Sequence, residues 1–207
     1  MKAHTRETQN GLTPKLALEI LRDGNVRFVS NIKAHRNLLE QVNETSEGQF
    51  PFASILSCID SRTSAELIFD QGLGDIFSIR IAGNILNEDI IGSMEFACKI
   101  AGSKLILVLG HTKCGAIEGA CNNIMLGNIT ALLNKIKPAI EQETETTTER
   151  NGNNKIFLRN VAEKNVRLTV QKIKEQSSIL SEMELAQEIK IIGGLHDIDT
   201  GQVLFFE

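Results

Sequence analysis

Tryptophan and tyrosine are missing altogether, which argues against a base-stacking surface, although nine phenylalanines remain. No apolar run approaches the roughly 20 residues that cross a bilayer, so no membrane span is expected. Excess basic charge is lacking too. The formal net charge of -4 argues against a general binder of nucleic acid or of anionic membranes. The opening Met1-Lys2-Ala3-His4-Thr5-Arg6-Glu7 has no apolar core of the kind a signal peptide carries. The expectation is a cytoplasmic, reducing setting, in which the four cysteines read as metal ligands or buried thiols rather than disulfides.

With 207 residues, 42% of them hydrophobic and 23% charged, the chain is sized for one domain, 1–207, with a sizeable core. Thr13 can cap a helix that accepts Pro14 in its first turn, and Leu16, Ile20, Leu21 and Phe28 give that helix an apolar stripe. Residues 31–50 are polar and irregular, so 1–50 is expected to be an N-terminal helix and arm. Apolar runs predict strands over 52–58 and 76–81. A helix is expected over 88–100, with Ile90, Ile91, Met94, Phe96, Ala97 and Ile100 buried and Gly102 as its C-cap. A strand over 104–110 follows, then helices beginning near Lys113 and over 129–140. Segment 141–154 has no apolar side chain and reads as an exposed, mobile loop. Helices over 156–175 and 178–187, a strand over 188–195, a turn at Asp199-Thr200-Gly201 and a strand over 202–206 complete the chain. This alternation predicts an α/β fold: a mainly parallel sheet of about four strands plus an antiparallel edge strand, with helices on both faces.

The chemistry centres on Cys58 and on His111 and Cys114, the last two in the run Gly110-His111-Thr112-Lys113-Cys114-Gly115. Cys58 and His111 each follow an apolar run expected to be a buried strand. Ligands collect beyond the carboxyl ends of parallel strands, so neighbouring strands would bring the two together despite the 52 residues between them. His111 and Cys114, three apart at a strand-to-helix turn, fall on one side. Two thiolates and an imidazole suit zinc, and three protein ligands leave a position for water as catalytic sites do. In Cys58-Ile59-Asp60-Ser61-Arg62, residues two apart share a face if the run is extended, which sets Asp60 beside the ligand. Arg62 would then hold Asp60 ionised. Asp60 either accepts a hydrogen bond from a metal-bound water or takes the fourth metal position; both readings stand at this point.

The other cysteines and histidines read as bland. Cys98 and Cys121 are expected to be buried thiols, His4 and His35 solvated, and His196 a turn residue. Ile81-Ala82-Gly83-Asn84 lacks the spacing of a phosphate-binding loop and reads as a tight turn.

Cys58-Ile59-Asp60-Ser61-Arg62 and His111-Thr112-Lys113-Cys114 resemble the Cys-x-Asp-x-Arg and His-x-x-Cys motifs of the β-class carbonic anhydrases. Leu21-Arg22-Asp23-Gly24-Asn25-Val26-Arg27-Phe28 is similar to the family's N-terminal helix, and Arg80-Ile81-Ala82-Gly83-Asn84 to another of its stretches, with Ile81 in place of Asn. The resemblance implies Zn2+ on Cys58, His111 and Cys114, an Asp60–Arg62 dyad, and reversible hydration of carbon dioxide to bicarbonate and a proton. It implies substrate contacts from Gln49, eleven residues before Asp60, from Phe77, nineteen after Cys58, and from Phe96 and Gly115. Phe96 stands where the family's plant-like subgroup has Tyr. The bicarbonate-inhibited subgroup uses a Trp and a Tyr that this chain lacks, so that regulation is not expected. A homodimer, or a homotetramer of paired dimers, is also implied, with the active site at the subunit interface and Gln49 and Phe77 serving either chain's zinc. Carbon disulfide or carbonyl sulfide as substrate, a purely structural zinc with Asp60 as its fourth ligand, and a thiol redox protein are the alternatives; the last needs a close cysteine pair, and the nearest, Cys114 and Cys121, lacks the two-residue spacing of redox motifs.

Overall fold

A computed structural model describes residues 2–206. One five-stranded sheet runs through it, built from β1 (Ala53–Ser57), β2 (Ile76–Arg80), β3 (Leu105–His111), β4 (Lys190–His196) and β5 (Val203–Phe206). The strand order is β2-β1-β3-β4-β5; the first four are parallel and β5 runs antiparallel to β4. Every residue of β1 and β3 is buried. Near-continuous apolar strands of this kind are what a parallel sheet covered on both faces requires.

Alternation along β3 divides the core in two. Leu105, Leu107 and Leu109 join Leu18, Leu21, Phe52, Ile55 and Phe69 on one face. Ile106 and Val108 join Leu56, Met94, Ile117, Phe157, Val161, Val166 and Ile173 on the other. In chain order the helices are α1 (Arg6–Asn10), α2 (Pro14–Val29), α3 (Leu38–Glu44), α4 (Ala65–Ile68), α5 (Glu88–Glu95), α6 (Gly115–Cys121), α7 (Gly127–Asn134), α8 (Lys137–Gln142), α9 (Lys155–Gln176) and α10 (Ser178–Leu185). Thr13 caps α2 by accepting from the Leu16 amide at 3.2 Å, as its sequence predicts. Helix α9 lies directly on β3: a Cβ at Gly110 would come within 2.6 Å of Val166 Cγ2, so only glycine lets the two backbones approach this closely.

Several expectations need correcting. The arm 31–50 is not wholly irregular, because Asn37 caps Glu40 and starts α3. The single helix expected over 129–140 is two, α7 and α8; Pro138 sits in the first turn of α8, where its missing N–H costs nothing. Phe96 and Ile100 are not buried; they are 52% and 72% exposed. Helix α5 passes there into a π-helical turn, Phe96–Ile100, whose wider winding rotates Ala97 and Cys98 inward instead. Gly102 does close this segment in the left-handed region, at φ +82°. The helix expected near Lys113 begins at Gly115, because Lys113 itself is left-handed. Most of 141–154 is exposed as expected, but Glu143 is buried and accepts from Thr146, Arg150 and Asn160. His196 is no turn residue: it ends β4 and is 3% exposed. Among the described residues no helix is long and apolar enough to cross a membrane.

Candidate metal centre

Strands β1 and β3 are parallel neighbours with Ser57 opposite Leu109, so their carboxyl ends finish side by side. Cys58 leaves the end of β1, His111 is the last residue of β3, and Cys114 is the N-cap of α6. The left-handed Lys113 makes the tight reversal that carries the chain from strand to helix. All three side chains are buried, and their ligand atoms lie within 4.8 Å of one another. The two sulfurs are 3.9 Å apart. No fourth His, Cys, Asp or Glu atom joins that group among the described residues.

The chemistry of these donors fits a dication. His111 Nδ1 is 2.9 Å from the Thr112 carbonyl, a contact that only a protonated Nδ1 satisfies, which leaves Nε2 as the lone-pair nitrogen. That Nε2 is buried with no hydrogen-bond partner, a costly state for a polar atom unless a ligand takes it. The Thr112 peptide is itself held: its amide donates to the His196 carbonyl at 2.9 Å and its hydroxyl accepts from the Ile198 amide at 3.0 Å. The thiols respond to each other. The neighbouring Cys114 thiol pulls Cys58 well below the usual thiol range, against burial and with help from His111 and the Gly83 N–H. Cys114 is pushed up, first by Cys58 and then by burial. One thiolate thus suppresses the other, and a divalent cation is the charge that lets both ionise.

Gly83 is what brings an N–H to Cys58 Sγ, at 3.4 Å. Its φ of +66° suits glycine, and a Cβ there would lie 2.9 Å from Ile136 Cδ1 and 3.2 Å from Ala116 Cβ. Asn165 on α9 holds the Gly83 carbonyl at 2.9 Å.

Asp60 and Arg62 pair as expected. Arg62 Nε and Nη2 donate to the two carboxylate oxygens at 2.9 and 2.7 Å, and the Arg62 amide adds a third bond at 3.0 Å. Those bonds, above all the guanidinium, hold the Asp60 carboxyl far below the ordinary carboxylate range. Gly115 opens α6 next to Cys114, and nothing lies within 4 Å of where its Cβ would be.

Gln49, Phe77 and Phe96 stand apart from this cluster in the same chain. Gln49 is exposed and precedes β1, whereas Cys58 follows it. Phe77 pairs with Ser54, four residues before Cys58, or roughly 13 Å back along the sheet at about 3.3 Å per residue. Phe77 meets Phe96 edge-on, with ring centroids 6.3 Å apart, and both line an open cleft of about 570 Å³ beside the free edge of β2. Sequence reasoning missed His196. It pairs in register with His111, both its ring nitrogens lack partners, and burial above all lowers its pKa to about 4. No second histidine or cysteine at motif spacing accompanies it in the sequence, so only strand pairing reveals it.

A family model described as carbonic anhydrase matches residues 53–203. The chain is 32% identical over 194 residues to carbonic anhydrase 2 of Mycobacterium tuberculosis, covering 92% of each. It is 30% identical over 195 residues to a carbonic anhydrase of Candida albicans, covering 92% of this chain and 68% of that one. Among solved structures it resembles the β-carbonic anhydrase CafA of Aspergillus fumigatus, with a TM-score of 0.72 at 22% identity over 93% of this chain and 90% of that one. It also resembles one of two tetrameric β-carbonic anhydrases of Sordaria macrospora, with a TM-score of 0.71 at 23% identity over 79% and 84%.

Proposed function

The chain belongs to the β-class carbonic anhydrase family, and from that premise we propose how its residues divide the reversible hydration of carbon dioxide to bicarbonate and a proton. It is a zinc lyase, a carbonate dehydratase. Cys58, His111 and Cys114 would hold the ion, and the observation that carries this is three converging buried donors with no fourth among the described residues. Bound zinc supplies a Lewis acid that brings the pKa of a coordinated water towards neutrality.

Asp60 is the hydrogen acceptor for the attacking water. Its carboxylate stays ionised at any working pH, because Arg62 and the Arg62 amide stabilise the charged form. Since Arg62 occupies both oxygens in a fork, the lone pairs left over point in fixed directions, which orients the water without a conformational search. The same fork disfavours Asp60 swinging in as a fourth metal ligand. Gly115, with open space above it, leaves room for the substrate.

Gln49 donates to a substrate oxygen and Phe77 supplies an apolar wall, both from a second copy of the chain. Phe77 pairs with Ser54, roughly 13 Å back along the sheet from its own Cys58, and Gln49 precedes β1, which supports a substrate side completed by the second copy. The free β2 edge and the exposed Phe77–Phe96 cleft beside it support this face as the contact. The unit is a homodimer, with a homotetramer as its doubled form. Phe96 brings no hydroxyl, so Gln49 is the donor on that side. Cysteines that are all free support a cytoplasmic, reducing location.

Metal analysis joined to stopped-flow carbon dioxide hydration tests this reading. The expected result is one zinc per chain, activity lost on chelation and restored by zinc, and no metal in Cys58→Ala. A Cys58→Ala protein with full zinc and full activity overturns the ligand assignment.

A further inference from the structure

We propose that Arg80 is a positioning residue of the metal loop, fixing Cys58 and Asp60 relative to each other through their main-chain carbonyls. The proposal rests on the role given to Asp60 above. Arg80 is the last residue of β2 and pairs with Ser57, the last residue of β1. Beyond Ser57 the chain leaves the sheet, and residues 58–60 have no regular structure to hold them.

Arg80 supplies the missing restraint from the neighbouring strand. Its Nε donates to the Cys58 carbonyl at 3.1 Å and its Nη2 to the Asp60 carbonyl at 2.7 Å. Those oxygens belong to the peptide units 58–59 and 60–61, which bracket the short path from the ligand sulfur to the dyad carboxylate. A guanidinium is a rigid planar fork, so bonding both carbonyls at once sets the spacing and tilt of the two peptide planes.

Thr63 also reaches both carbonyls, at 3.3 and 2.9 Å. It sits in the same loop and moves with it, whereas Arg80 refers the loop to the sheet. The two arginines therefore hold Asp60 at opposite ends. Arg62 grips the carboxylate; Arg80 grips the backbone that carries it. Arg80 bonds neither a sulfur nor the His111 ring, so it acts through Cys58 and Asp60.

The test compares full-length, metal-loaded Arg80→Gln and Arg80→Lys with the parent protein. Stopped-flow assays give kcat and KM, and cobalt(II) substitution gives the visible absorption of the metal site. In Arg80→Gln, kcat should fall about tenfold with KM within about twofold, the scale on which groups that orient a metal ligand act. Arg80→Lys, a point charge that can hold one carbonyl at a time, should recover part of the rate. The cobalt band should shift in Arg80→Gln, which a change in stability alone does not produce in folded, fully loaded protein. If Arg80→Gln does not fold, Arg80→Lys carries the same comparison at smaller amplitude. An unchanged cobalt band in the folded variants overturns the proposal. A parent protein that hydrates no carbon dioxide sinks the reading of function instead, and the cobalt comparison still judges Arg80.

Discussion

Replacing Gly83 by Ala adds one methyl group at the point where the chain supports Cys58, and its cost can be worked from the structure. Gly83 is held at φ +66°, a region that costs an L-residue about 1–2 kcal/mol. The new Cβ would lie 2.9 Å from Ile136 Cδ1 and 3.2 Å from Ala116 Cβ. Ile136 is fully buried and has little room to yield, so overpacking adds about 1–2 kcal/mol. The sum, about 2–4 kcal/mol, corresponds to a melting temperature lower by about 5–15 °C for a domain of this size. Relief of that strain shifts the 82–84 turn and with it the N–H that meets Cys58 Sγ. Metal should therefore dissociate faster as well. Scanning calorimetry on the zinc-loaded protein and chelator-competition kinetics measure the two effects separately. A Gly83→Ala protein that melts within about 2 °C of the parent refutes both the strain and the packing argument.

Asp60→Asn keeps shape and loses the charge and one acceptor, so kcat should fall about 10²–10³-fold, the scale of one lost oriented group at a reacting centre. Because the partner Arg62 is half exposed, melting should move little, and a kcat within threefold of the parent at full zinc would remove Asp60 from the mechanism. Mixing Gln49→Ala with Cys58→Ala after dissociation tests the shared site. If Gln49 serves the partner's metal, each mixed dimer has one intact site and random pairing restores about a quarter of parental activity; no recovery places Gln49 in its own chain's site. Asp70 is pushed up by burial but pulled lower still by Arg27, the Ala34 amide and Arg36. Its folded pKa therefore lies below its unfolded one, and its contribution is present above about pH 4 and fades as pH falls below that. Asp70→Ala should cost about 3 kcal/mol at pH 7 by removing the carboxylate that Arg27, Arg36 and the Ala34 amide share, and less at pH 3; equal losses at both, read by urea unfolding, contradict this.

The parallel core strands and the long helix α9 were legible because burial on both faces, or on one helical stripe, leaves an unmistakable spacing of apolar side chains. The clustering of Cys58, His111 and Cys114 was legible because they sit at strand ends in short motifs, where a few residue types answer to one chemistry. The exposed Phe96 and the buried His196 were not. A π-turn and a strand register change which way a side chain points without altering the local pattern of apolar and polar residues. The split of α7 from α8 had a visible cue in Pro138 that a periodicity reading passed over.

The order of residues along the chain determined the donor set, the Asp60–Arg62 pair and the α/β architecture, because each depends on neighbours a few positions apart. Tertiary structure alone decided that β1 and β3 lie side by side, that Arg80 reaches the loop after β1, and that Phe77 lies towards the opposite end of the sheet from its own Cys58. These are facts of strand order and direction, and contacts across strands carry no local signature because residues distant in sequence meet only once the sheet has formed.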